Sequence, residues 1–245
     1  MNKIKFILPL FVFLSACKSV YVPGKLEYEG YRITKDLPRD SSLIRMTQPY
    51  RDSLDKSMNE VLGRVEGSLE KRQPSGSLNN FMADAMLYMA RQKINPATDV
   101  AMVNYGGVRI PQLPAGNITR GKVFELMPFD NVLIVQELKG SVLQNLLDQI
   151  AERGGWPIAG ATMHIRNKKA VDVMIGGKPL NPSQMYLVAN SDYVANGGDD
   201  ANMLKSIPQQ NKGYLMRDAI MDYIAAMKAQ GKNIPVNEEK RITNE

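Results

Sequence analysis

Helical and strand periods follow one another along this chain without strict alternation. A doubly wound parallel sheet needs strands and helices in regular succession, so the order points instead to an α+β arrangement. The spacing predicts a helix over Tyr50–Leu62, from an apolar stripe at Leu54, Met58, Val61 and Leu62 that Gly63 ends, and a strand over Val65–Leu69. Ser77 is the expected N-cap of a helix that turns Leu78, Phe81, Met82, Ala85 and Met89 to one face and runs to Lys93, where Asn95-Pro96 stops it. A buried strand over Asp99–Asn104, a short helix over Thr119–Leu126 and a strand over Val132–Leu138 follow. Then come a helix over Ser141–Glu152, strands over Thr162–Arg166, Val171–Ile175 and Tyr186–Asn190, and a last long helix over Tyr214–Ala229.

The first residues have a different character. Lys3 and Lys5 precede an apolar run from Phe6 to Leu14 and then Ser15-Ala16-Cys17, the pattern of a signal peptide over residues 1–16. Leu14-Ser15-Ala16-Cys17 also resembles the lipobox of bacterial lipoproteins, which makes Cys17 the expected site of lipid attachment. The apolar run is too short to cross a hydrocarbon core of about 30 Å, so the acyl chains would be the anchor. No second cysteine exists, and an internal disulfide is excluded. Residues 17–48, rich in Tyr, Pro, Ser and charge, read as a lipidated tether with one strand near Leu26–Ile33, and residues 49–245 as one domain. The expected location is the bacterial cell envelope, periplasm-facing or at the outer membrane.

The formal charge of +6 falls to about +4 once Lys3 and Lys5 leave with the leader, a mild field that favours anionic ligands. Lys/Arg clusters of the kind that bind nucleic acid are missing, so nucleic acid is not an expected partner. Hydrophobic residues make up 44% and charged residues 23%, which excludes both a disordered and a membrane-embedded chain.

Two stretches hold most of the chemistry. Asn104-Tyr105-Gly106-Gly107-Val108-Arg109, with Pro128-Phe129-Asp130-Asn131, offers bare backbone N–H groups just past a strand, a planar guanidinium fork and a ring fixed at a turn. Asn190-Ser191-Asp192-Tyr193 through Gly197-Gly198-Asp199 offers a second ring and a carboxylate suited to vicinal hydroxyls. Two rings on opposite faces of a base would form a stacking clamp. The same residues also suit plain turns, a core phenylalanine and a helix-capping aspartate.

The motifs Asn104-x-Gly-Gly-x-Arg109, Gly116-x-Ile118-Thr119, Pro128-Phe129-x-Asn131, Leu138-x-Gly140-x-x-Leu143 and Tyr193 with Asn196-Gly197-Gly198-Asp199 occur in this order. Together with Leu78-x-Asn80-Phe81-x-Ala83-Asp84-Ala85 upstream, they resemble the C-terminal domain of the 5'-nucleotidase and UDP-sugar hydrolase family, from about Pro49 to Ala229. The resemblance implies a nucleoside-recognition domain of α+β class in layered α/β/β/α form with mixed sheets. It implies that Phe129 and Tyr193 sandwich the base and that Asn104 reaches its edge. Asp199 would take the ribose hydroxyls, with Arg72 and Arg109 toward ribose and phosphate. Gly106, Gly107, Asn131 and Gly198 complete the implied substrate-binding set. Gly154-Gly155-Trp156-Pro157 suits either a neighbouring loop of the pocket or a structural turn.

Full-length members of that family place a two-metal phosphoesterase domain before this one. The chain has a single histidine, His164, which period-two alternation places with Thr162 and Arg166 on a polar strand face. One histidine cannot build a multi-histidine centre, and Gly-x-Ser-x-Gly, Walker A and Gly-x-Gly-x-x-Gly patterns are absent. The expectation is therefore no catalytic residue, metal ligand or cofactor in this chain. Divalent metals would belong to a separate metallophosphatase partner, and this chain would be the nucleotide- or nucleoside-binding half of a split 5'-nucleotidase. The alternative is an envelope lipoprotein that captures nucleosides with no enzymatic role.

Overall fold

The computed structural model describes residues 24, 25, 27–34 and 37–245, so the expected leader and Cys17 lie outside the described residues. The chain divides into a unit over Met1–Met46 and a compact unit over Thr47–Glu245. In the first, the expected strand near Leu26–Ile33 is not formed among the described residues, and Tyr28, Tyr31 and Ile33 are exposed. A strand needs a ladder partner for its N–H and C=O groups, and among the described residues none is paired to this segment.

The first helix also departs from expectation. Helix α1 spans Ser41–Met58, beginning and ending earlier than the predicted Tyr50–Leu62, and Leu54 of the expected inward stripe is exposed. Its start is set by Asp40, whose Oδ1 accepts from Ser42 N at 2.8 Å and Leu43 N at 3.0 Å. Val61 and Leu62 belong to a strand instead: β1 (Val61–Val65) pairs antiparallel with β5 (Gly116–Thr119). The strand expected over Val65–Leu69 is accordingly split, with Leu69 opening β2 (Leu69–Glu70), which pairs with β4 (Gln112–Leu113).

The centre of the compact unit is a mixed five-stranded sheet in the order β12 (Gln209–Leu215), β6 (Val132–Lys139), β11 (Met185–Ser191), β3 (Val100–Met102) and β7 (Ile158–Ala159). Only β11 and β3 run parallel. Its side chains alternate between two cores, as strand geometry requires. Ala101, Leu133, Val135 and Ala189 pack with α2 (Ser77–Lys93) and α6 (Met216–Ala229), while Val100, Met102, Leu138 and Val188 face the other way. There they meet α4 (Gly140–Glu152) and a second mixed sheet, β10 (Lys178–Pro179), β9 (Lys169–Ile175), β8 (Ala161–Arg166) and β13 (Ile242–Asn244). The chain is thus of the α+β class with layered mixed sheets, as the resemblance implied.

Smaller corrections have plain causes. Ser77 is not the cap of α2: Gly76 holds that position, and Ser77 is buried with its Oγ accepting from Glu70 N at 3.0 Å. The last helix starts at Met216 rather than Tyr214 because Gln209–Leu215 pairs with β6 as an edge strand. Asn80 and Asp84 of the upstream motif hold the C-terminal segment. Asn80 Nδ2 donates to the carbonyls of Asn237 and Glu239, and Asp84 pairs with the buried Arg241 at 2.7 Å.

Candidate functional site

The two chemistry-bearing stretches meet because β6 and β11 are neighbours. Phe129 sits in the loop between α3 (Arg120–Leu126) and β6, and Tyr193 in the short helix α5 (Asp192–Ala195) that follows β11. Thr119 Oγ1 caps α3 by accepting from Lys122 N, and Ser191 Oγ caps α5 by accepting from Val194 N at 3.2 Å. Tyr105–Gly107 forms one 3₁₀ turn after β3.

Together these segments enclose a cleft of about 310 Å³ lined by Asn104, Gly106, Gly107, Arg109, Phe129, Asn131, Tyr193 and Asp199. Both rings are open to solvent, Phe129 by 40% and Tyr193 by 45%. The Arg109 guanidinium carbon lies 5.6 Å from the Phe129 ring centroid, within cation–π range. Asp199 is fixed from both sides: its Oδ2 accepts from Asn104 Nδ2 at 2.7 Å, and its Oδ1 from the Tyr193 hydroxyl at 3.4 Å. Its φ of 49° is left-handed, a strained conformation of the kind that collects at ligand clamps.

Two glycines are required by close approach. A Cβ on Gly107 would lie 2.7 Å from Asn104 Oδ1, and one on Gly198 would overlap the Tyr193 ring carbons. Gly198 thus lies against the Tyr193 ring and is not among the residues that line the cleft. Arg72 does not line the cleft either; its guanidinium pairs with Glu70 at 3.1 Å and lies 3.7 Å from Glu238. Gly154-Gly155-Trp156-Pro157 is the structural turn of the two options: Trp156 is buried in the second core, and Gly155 O accepts from Gln73 Nε2 at 2.9 Å.

His164 faces the same side of β8 as Thr162 and Arg166, and its Nδ1 is 2.6 Å from Thr243 Oγ1. Among the described residues, His164, Asp172 and Glu245 form the one group of potential metal ligands close enough to share an ion. Arg166 already lies against both carboxylates of that group.

Several supporting residues carried no sequence signal of their own. Lys71 Nζ donates to Val108 O at 2.8 Å and sits 3.8 Å over the Tyr105 ring. Burial, and then the charge of Arg109, push its pKa below the ordinary lysine value. Arg217, largely buried at the start of α6, donates to Phe129 O at 3.3 Å and Asp130 Oδ1 at 2.6 Å. Gln149 Nε2 donates to Asp199 O at 2.5 Å.

The family model described as 5'-nucleotidase, C-terminal domain, matches residues 60–206. Protein UshA of Yersinia enterocolitica is 27% identical over 197 residues, 78% of this chain and 36% of that protein. A 5'-nucleotidase of Vibrio vulnificus is 27% identical over 238 residues, 93% of this chain and 40% of that protein. Among solved structures, a 5'-nucleotidase precursor from Thermus thermophilus superposes with a TM-score of 0.70 at 27% identity, covering 84% of this chain and 44% of that one. The chain thus spans about two fifths of the length of the curated relatives it matches.

Proposed function

We propose, on the premise that the chain belongs to the family of 5'-nucleotidase C-terminal domains, that it is the nucleotide- or nucleoside-binding half of a split 5'-nucleotidase. The observation that carries this reading is the cleft itself. Two solvent-open rings, a guanidinium and a carboxylate from distant parts of the chain converge within about 310 Å³. A flat base between Phe129 and Tyr193 would cover the apolar faces that water now meets. The Asp199 carboxylate suits a pair of ribose hydroxyls and the Arg109 fork suits phosphate oxygens.

Hydrolysis of a phosphate ester by a two-metal mechanism needs several ligands around each ion. With one histidine in 245 residues, the chemistry is assigned to a separate metallophosphatase chain, and this chain to holding the substrate. Lipid attachment at Cys17 would keep the binding half in the bacterial envelope, where such a partner could meet it.

Titration calorimetry with AMP, adenosine and UDP-glucose tests the binding claim, and phosphate release by candidate metallophosphatases with and without this protein tests the split. Saturable binding together with faster or more selective hydrolysis is expected. Failure of all three ligands to bind would sink the reading, and binding with no effect on any phosphatase would leave nucleoside capture in its place.

A further inference from the structure

We infer that Asp192 is a positioning residue that sets the gap between the two rings of the cleft, an inference that rests on the nucleoside reading of that cleft. Phe129 and Tyr193 belong to segments far apart in sequence. The ladder between β6 and β11 brings these segments side by side, and its last pair is Leu133 with Ser191. Each ring lies just past that pair, so backbone pairing between the two strands does not reach either ring.

At this point a side chain takes over. Asp192 Oδ1 accepts from Val132 N at 2.9 Å and from Tyr193 N at 2.9 Å. Val132 closes the loop that carries Phe129, and Tyr193 carries the other ring. One oxygen therefore ties the backbone of both ring-bearing segments to a single point. The Phe129 loop is held from its other side, by Arg217 on the Phe129 carbonyl and by Met216 N on Asn131 O at 2.9 Å. With the loop fixed behind, the Asp192 bridge decides how far it stands from Tyr193.

The spacing matters because dispersion contact is short-ranged: a radial gap of about 0.5–1 Å forfeits roughly a quarter to a half of the attraction. A base held between two rings meets that error directly on both faces, whereas a sugar phosphate held by Arg109 and Asp199 meets it only at second hand, through the long Tyr193–Asp199 hydrogen bond of 3.4 Å and the Arg109–Phe129 contact at 5.6 Å. The bridge also needs an acceptor rather than a charge. One oxygen makes both bonds, so an asparagine side chain can replace it with its amide oxygen, and an alanine cannot.

The test is calorimetric titration of wild-type, Asp192→Ala and Asp192→Asn protein with AMP and with ribose 5-phosphate. Asp192→Ala is expected to weaken AMP binding about tenfold, and ribose 5-phosphate binding by less than about twofold, as loss of stacking alone would. Asp192→Asn is expected to bind AMP within about threefold of wild type, since it keeps the acceptor. If the alanine variant does not fold, Asp192→Glu serves in its place. It keeps charge and acceptor but moves the oxygen by one methylene, and the same selective loss is expected. An alanine or glutamate variant that binds AMP like wild type overturns the inference, as does an asparagine variant as weak as alanine, or an equal loss for both ligands. Failure of the wild type to bind AMP at all overturns the nucleoside reading itself, and the inference with it.

Discussion

The cleft beside Phe129 and Tyr193 encloses about 310 Å³, and an adjoining one encloses about 550 Å³. Asp199 lines the first and Asp200 the second, so consecutive residues separate them. The larger cleft is lined by Asn145, Asp148, Gln149, Glu152, Arg153, Lys169 and Asp200, without an aromatic ring. Both of its cations are paired with its own carboxylates, Lys169 with Asp148 at 3.1 Å and Arg153 with Asp200. In the smaller cleft the rings of Phe129 and Tyr193 are open to solvent, and the strained backbone of Asp199 is held in place by hydrogen bonds from Asn104 and Tyr193. Volume alone would favour the larger cavity. Unsatisfied apolar area combined with pre-oriented polar groups is what distinguishes a binding site from a gap between solvated side chains.

The strongest way to break this contrast is to remove a ring. Phe129→Ala or Tyr193→Ala is expected to weaken nucleoside binding by roughly 5- to 150-fold, the range that about 1–3 kcal/mol of stacking spans. Nucleoside titration measures it, and an unchanged affinity in both variants would remove the clamp from consideration. Gly198→Ala sharpens the same point without deleting any group. Its methyl would overlap the Tyr193 ring, and displacing the ring should weaken binding by about tenfold, within the 1–3 kcal/mol usual for overpacking. A crystal structure of that variant with Tyr193 unmoved would count against the account.

A smaller effect is expected where the two clefts touch. Gln149 lines the larger one, yet its amide donates to the Asp199 carbonyl. Gln149→Leu should weaken nucleoside binding by about two- to tenfold through the loosened Asp199 turn, since one such bond contributes roughly 0.5–1.5 kcal/mol. Lys71, behind the smaller cleft, gives a pH signature instead. Its lowered pKa means that, in the alkaline window just below the ordinary lysine value, the folded protein binds fewer protons there than the unfolded chain. The stability linked to this site therefore rises with pH through that window and is lost as pH falls through the folded-state value. The urea midpoint of wild type relative to Lys71→Met should move in favour of wild type as pH climbs, and a pH-independent difference would contradict the assigned burial.

Much of this was legible in the sequence, for reasons that differ by residue. The cleft lining lies within the two glycine-rich stretches, because a turn after a strand end needs bare backbone and holds its side chains at the surface. The α+β class followed from the order of periods. Edge strand β12 was hidden because Gln209-Gln210-Asn211-Lys212-Gly213 is polar and largely exposed, with no alternation to read. Helix α1 was misplaced because its start depends on one capping carboxylate, Asp40, rather than on the apolar stripe. Asp192, Arg217 and Gln149 act by bonds to backbone of segments 60, 88 and 50 residues away, and no local pattern encodes such pairings. Arg72 enters the implied set through the resemblance alone, and no pattern in the sequence says that Glu70 will hold its guanidinium.

The last expectation is the smallest and the most specific to the comparison. Lys169→Ala removes a cation from the larger cleft, where the side chain is 65% exposed and paired with Asp148. An exposed pair contributes about 0–1 kcal/mol to stability and is screened by salt. Asp148 retains other partners, accepting from Ala170 N and from Gln144, so the surrounding backbone stays fixed. The substitution should therefore leave nucleoside affinity within about twofold of wild type, because a solvated charge of this kind reaches the neighbouring site only through a screened field. A loss comparable to that of Phe129→Ala would mean that the larger cleft holds part of the ligand, such as a second sugar or base beyond the phosphate. The Asp199–Asp200 turn would then divide one extended site instead of separating a site from a gap.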